Sequence, residues 1–346
     1  MLTLISNKDL KVIIQMSGHA IRDFLSHADA GQFKGEAKIA VTAFQSHPSD
    51  FTDDKLVGYG SDTVDAINYP VRIELRGVTK EGVAQMVAKG IWGPKRAQAA
   101  LEIAKKCQEH KLGMHLKLAG TSSIEFNVDG VDKSLPIYFL QGDFDEVLKV
   151  MKYKPGAGID SAKSRTVIAA DGDGTIYDGP RVGVLPTLAQ SPVCGPLCAY
   201  LKAGGIFMLV SGNDLDRTVK RIVDALPQEL YCRVLVAANG GAELVYLDNK
   251  GQAVPVPGYR KQALGLAHDR SSQHVLDMVY IGDDGSKEGN DYPAFKAVGF
   301  KNSVLVAPQF LSDYDPALKP GYVGGLLKGT SQYLEQYLSR RLNGSI

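Results

Sequence analysis

Three aspartates crowd the stretch VIAADGDGTIYDGP at 167–180, namely Asp171, Asp173 and Asp178. A turn at the end of a strand would account for one such cluster, because Asp and Gly are common turn residues. Here the cluster recurs. SGND follows at 211–214, NGG at 239–241 and DDG at 283–285, each directly after an apolar run or one residue beyond it. Together they supply what phosphoryl transfer through an enzyme carboxylate requires. Asp171, first on its loop, is placed to attack phosphorus. Asp173 reaches the same substrate and is the candidate general acid and base. Gly172 and Gly174 let the backbone turn beneath a phosphate, and the Thr175 hydroxyl is expected to tie that loop. Ser211, with Gly212 and Asn213, is expected to hold phosphoryl oxygens. Asp283 and Asp284, with Asp171 and Asp173, form the expected oxygen ligand set for Mg2+, supported by Asn290 and Asp291. A lysine should balance the charge.

These residues need elements that bring them together. TVIAA (166–170), IFMLV (206–210), RVLVA (233–237), MVYIG (278–282) and SVLVA (303–307) read as buried strands. Helical patterns lie between them. In DLDRTVKRIVDAL (214–226), Leu215, Val219, Ile222 and Val223 share one face, and weaker patterns cover 259–269 and 290–299. Strands alternating with helices predict a parallel sheet covered on both faces. Ligands bind outside the carboxyl ends of such strands, so clusters at four successive strand ends predict one crevice.

The first half of the chain is less regular. PVRIELRGVT (70–79), MHLKLAG (114–120) and SSIEFNVDG (122–130) alternate like half-buried strands, and 79–90 and 94–110 read as helices. The expected architecture is α/β, with an α+β domain over 1–155 and a parallel-sheet core over 156–346. The seam is placed at KYKPGAGIDSAKSR (152–165), rich in Gly, Pro, Ser and Lys. Residues 1–65 give no clear pattern.

The bulk composition is that of an ordinary globular protein: 346 residues, 44% hydrophobic, net charge +1. That balance argues against a dedicated nucleic-acid binder, and no apolar run reaches the length of a membrane span. The four cysteines, Cys107, Cys194, Cys198 and Cys232, read as reduced thiols of a cytoplasmic protein. Trp92 reads as a packing anchor. The expected partner is a small phosphorylated substrate, with neither nucleic acid nor membrane, and a homodimer stays open.

DGDGT, LVSGND and IGDDGSKEGND, in this order, resemble the first, second and fourth motifs of the haloacid dehalogenase superfamily of phosphatases and phosphomutases. The likeness covers about 166–310. VSGNDLDRTVKRI, AANGGAELVY and GDDGSKEGNDYPAF are similar to stretches of eukaryotic-type phosphomannomutases and sugar phosphatases, and DGDGTIYDG is similar to the start of IMP-specific 5'-nucleotidases. The resemblance implies a Rossmann-like core, an aspartyl-phosphate on Asp171 and Mg2+. It leaves the third-motif lysine open. Lys261 stands at the family's usual place in chain order. Residues 114–140 look like the last cap strands and third motif of a phosphomannomutase, which points to Lys133. The intervals between Asp171 and Ser211 and between Asn239 and Lys261 are too short for a cap domain, so residues before about 150 are expected to supply the lid. A hydrolase is the leading expectation, with a phosphomutase and a non-catalytic binding module as alternatives.

Overall fold

The computed structural model describes residues 38–43, 71–76, 101, 105, 108–109, 114–119, 123–128, 131–179, 185–259, 276–285, 289–307, 321–322 and 324–343. The chain divides into two compact units, Met1–Asp129 and Gly130–Ile346. Within the first, strands β1 (Lys38–Ala43), β2 (Val71–Arg76), β3 (Met114–Ala119) and β4 (Ser123–Val128) form an antiparallel sheet in the order β1-β2-β4-β3. The three strands expected from alternation are present; β1 lies in the stretch that showed no pattern. Trp92 and most of the helices expected over 79–110 lie outside the described residues.

The second unit begins with helix α1 (Leu135–Val150) and continues through β5 (Thr166–Asp171), α2 (Cys194–Ala203), β6 (Ile206–Val210), α3 (Leu215–Val223) and β7 (Val234–Ala238). Then come β8 (Glu243–Leu247), β9 (Ala253–Pro255), β10 (Asp277–Gly282), α4 (Tyr292–Val298), β11 (Ser303–Leu305), β12 (Gly321–Tyr322) and α5 (Leu327–Leu342). The sheet order is β12-β11-β10-β5-β6-β7-β8-β9. All pairs from β12 to β7 are parallel, and the β7-β8-β9 edge is antiparallel. This is an α/β fold with a mostly parallel sheet. Every residue of β5, β6 and β7 is buried, as expected where helices cover both faces. Among the described residues no helix is long and apolar enough to cross a membrane.

The topology fixes where a ligand can sit. From β5 the chain runs outward to β6 and β7, then returns to the other side of β5 as β10 and continues to β11. The direction of winding reverses between β5 and β10. At such a switch point the loops leaving the two strands diverge and open a crevice at their carboxyl ends. Asp171 ends β5, and Asp283 follows the last residue of β10.

The domain seam differs from the expected one by a whole helix. Residues 130–155 belong with the sheet, because α1 buries Leu135, Ile137, Phe139, Leu140, Phe144 and Val147 within this unit. Phe139 meets Tyr259 edge-on at 4.9 Å, and the Gln141 amide donates to the Ala297 carbonyl at 3.4 Å. The Gly- and Lys-rich stretch after it is also no free linker. The Tyr153 hydroxyl donates to the Gly204 carbonyl at 2.8 Å, and the Ile159 N–H to the Ala203 carbonyl at 2.7 Å.

Candidate active site

β5 carries Asp171 into the switch point because its preceding residues, Val167 to Ala170, are apolar and fully buried between two parallel neighbours. The chain then turns at once. The Gly172 carbonyl accepts from the N–H groups of Ile176 at 2.9 Å and Tyr177 at 3.1 Å, and the Gly174 N–H donates to the Tyr177 carbonyl at 2.8 Å. Gly174 has φ +86°, and a Cβ there would stand 2.3 Å from Asp283 Oδ2. Only glycine lets this turn pass so close to the end of β10. These main-chain bonds tie the loop in place of Thr175. That side chain is fully buried, yet its hydroxyl has no hydrogen-bond partner among the described residues.

The lysine at the centre is Lys133, from the loop before α1. Its ammonium donates to Asp171 Oδ1 and, at 2.7 Å, to Asp291 Oδ1. All three side chains are buried, with Lys133 3% exposed. Burial works against the lysine's charge, but Asp171 and Asp291 outweigh it and hold the ammonium well above its ordinary range. Lys261 lies outside the described residues.

Asp291 organises this end of the sheet. Its Oδ1 also accepts from the Tyr280 hydroxyl at 2.8 Å, and its Oδ2 accepts from the backbone N–H groups of Asp283 and Asp284, each at 3.1 Å. A carboxylate offers about four acceptor positions, and here all are in use. The side chain does not cap α4, although Asp291 stands at that helix's N-terminus. It fixes the lysine and the loop after β10 instead.

One carboxylate oxygen each from Asp171, Asp283 and Asp291 lie within 4.8 Å of one another. Burial, then repulsion from Asp171 and Asp291, pushes the Asp283 carboxyl up to about 9. Burial pushes Asp171 up to about 7, against the pull of Lys133. An all-oxygen set of this kind suits a hard divalent cation, whose charge would let both acids ionise near neutral pH. Because Asp291 is saturated, Asp171 and Asp283 are the two side chains that fit such an ion.

Two of the expected metal ligands, Asp173 and Asp284, do not join this three-carboxylate group. Asp173 is drawn elsewhere: its Oδ2 accepts from the Asn213 amide at 2.7 Å, and its Oδ1 stands 2.7 Å from Arg221 Nη1. Asp284 turns its carboxylate against Gly289, where a Cβ would meet Oδ1 at 2.3 Å. The loop after β6 holds the remaining groups. Ser211 and Asn213 are buried and Gly212 is half-buried. Ser211 Oγ accepts from the Asn213 N–H at 3.1 Å and from its amide at 3.2 Å, which leaves the hydroxyl proton to donate. Ser211 is not a helix cap; Asp214 caps α3, accepting from the Arg217 N–H at 2.8 Å. Asn290 is half-buried, and its side-chain oxygen has no partner among the described residues.

Two residues in this network carried no signal. Tyr280 sits inside the apolar run of β10 and reads as core. Arg221 lies off the face shared by Leu215, Val219, Ile222 and Val223, yet it is fully buried together with Thr218 and Ile222.

No family model matches the chain, and no curated protein does. Among solved structures, the chain is similar to a mutant IMP-nucleotidase of Plasmodium falciparum bound to IMP. That match has 8% identity, 57% of this chain, 70% of the other and a TM-score of 0.33. It is similar to a haloacid dehalogenase-like hydrolase protein of Bacillus subtilis at 15% identity, 55% of this chain, 94% of the other and a TM-score of 0.32. It is also similar to the cobalt-bound deoxy-D-mannose-octulosonate 8-phosphate phosphatase of Haemophilus influenzae at 17% identity, 51% of this chain, 89% of the other and a TM-score of 0.30. Likenesses this distant leave the function to be read from the geometry at the end of β5 and β10.

Proposed function

We propose that the protein is a Mg2+-dependent phosphomonoester hydrolase acting through an aspartyl-phosphate on a small phosphorylated metabolite, a sugar phosphate or a nucleotide. The observation that carries this reading is Lys133 held between Asp171 and Asp291 at the sheet's switch point, with Asp283 alongside. Lys133 occupies Asp171 Oδ1, leaving the second oxygen to attack phosphorus. As that bond forms, the bond from phosphorus to the ester oxygen breaks, and Asp173 gives the departing oxygen a proton. Asp173 then takes a proton from the water that attacks the phosphoryl group, which leaves as inorganic phosphate. Ser211 donates to a phosphoryl oxygen, and Lys133 offsets its charge. Asp171 and Asp283 would hold Mg2+, which supplies charge neutralisation between carboxylate and phosphate when bound.

The test is phosphate release from a panel of sugar phosphates and nucleoside monophosphates, with and without Mg2+, for the wild type and Asp171→Asn. Mg2+-dependent release that the variant loses is the expected result. Release that persists in Asp171→Asn would overturn the aspartyl-phosphate route. No release from any substrate would overturn the hydrolase.

A further inference from the structure

Arg221 is among the largest fully buried side chains described, and nothing in the reaction above uses it. A buried guanidinium has five donors to satisfy and a desolvation cost to offset. Nε donates to the Pro186 carbonyl at 2.7 Å and Nη2 to the Asp178 carbonyl at 2.9 Å. The guanidinium lies over the Tyr177 ring, 3.5 Å from its centroid. Nη1 stands 2.7 Å from Asp173 Oδ1, an ion-pair contact off the hydrogen-bonding line. The two carbonyls would be enough for a residue that only ties the backbone of Asp178 and Pro186. The ring and the carboxylate are a different matter. Both belong to the turn that follows Asp171, and both sit against the same guanidinium.

Asp173 is two residues from Asp171, on a tight turn beside a cluster that favours a cation. With no restraint its carboxylate would be free to join that cluster. It does not, because Asn213 takes one oxygen and Arg221 the other. Arg221 is itself immobilised by two carbonyls and an aromatic face. We propose that Arg221 is a positioning residue for Asp173: it clamps the acid apart from Asp171 and Asp283, so that Asp173 serves proton transfer. This rests on the phosphomonoester reading above.

A positioning role makes a claim that a structural role does not. Loss of Arg221 should matter where the leaving group needs a proton, and only through Asp173. Arg221→Met and Arg221→Lys are compared on an alkyl phosphate and on p-nitrophenyl phosphate, reading kcat/KM, which reports the first transfer. Arg221→Met is expected to lower kcat/KM about thirtyfold or more on the alkyl ester and no more than about threefold on the aryl ester, since a general acid contributes about a hundredfold or more where it is needed. In an Asp173→Asn background Arg221→Met should cost nothing further, and Arg221→Lys should recover part of the loss. Equal losses on both esters, or losses that multiply with Asp173→Asn, overturn the proposal. If Arg221→Met does not fold, Arg221→Lys carries the same comparison. A double-mutant cycle on thermal unfolding between positions 221 and 173 reads the clamp without turnover. Strong coupling is expected, and independent effects overturn it. If the wild type hydrolyses neither ester, the phosphomonoester reading falls, and the thermal cycle still decides whether Arg221 holds Asp173.

Discussion

Lys133 is where one side chain decides the most. It joins the candidate nucleophile to Asp291, and Asp291 in turn holds Tyr280 and the N–H groups of Asp283 and Asp284. Removing the ammonium leaves two carboxylates buried without their counter-charge, a change that costs about 3–5 kcal/mol in comparable buried pairs. Lys133→Met is therefore expected to lower the melting temperature of the protein and to cut phosphate release about a hundredfold or more, even at saturating Mg2+. Full activity in Lys133→Met would move the phosphate-balancing role to another lysine. The placement of Asp171 and Ser211 at strand ends is legible from residue type and position alone. Asp291 is legible as a supporting residue of the cluster, but its bond to Lys133 is not, because that partner lies 158 positions away in the chain.

Among the elements, α1 sets the domain boundary. A chain starting at residue 130 keeps Lys133 and the face of α1 that buries Phe139 and Phe144; one starting at 156 loses both. The longer fragment is expected to unfold in one cooperative transition by circular dichroism. The shorter one is expected to aggregate or to melt broadly, because the surface that α1 covers is apolar. Two equally cooperative transitions would place the seam back near residue 155. The buried strands were plain from sequence because parallel strands covered on both faces read as unbroken apolar runs. Helix α1 was hidden because an apolar, aromatic segment such as LPIYFL, directly after alternating strands, fits another strand as well as a helix. Strands β8 and β9 leave little signal in the sequence for a related reason. An edge hairpin alternates weakly, with only Leu244, Val245 and Leu247 of β8 buried.

For the whole molecule, the acids at the switch point are expected to make stability depend on pH and on a divalent cation together. Asp171 and Asp283 are pushed up, to about 7 and about 9, by burial first of all. The native state thus keeps protons that the unfolded chain has already released above the ordinary carboxylate range. Stability without metal must then fall as pH rises from about 4 through these values. A divalent cation held by the same oxygens would compete with those protons. The melting-temperature gain on adding Mg2+ is expected to be small at pH 5 and to grow toward pH 8.5, as read by scanning calorimetry. A gain that does not change with pH would place the ion elsewhere.

The lysine's position in the chain has a consequence for how the protein is born. Lys133 lies 38 residues before Asp171 and 158 before Asp291. During synthesis it leaves the ribosome before any strand of the sheet it serves, and its second partner arrives only after β10 is complete. Contacts of such long sequence separation form late, because the intervening chain must first be ordered. A nascent chain stopped short of Asp291 would carry Asp171 and its turn but not a finished charge network. Until residue 291 has been made, Lys133 can meet only one of its two buried carboxylates, so the charge network cannot close before β10 does.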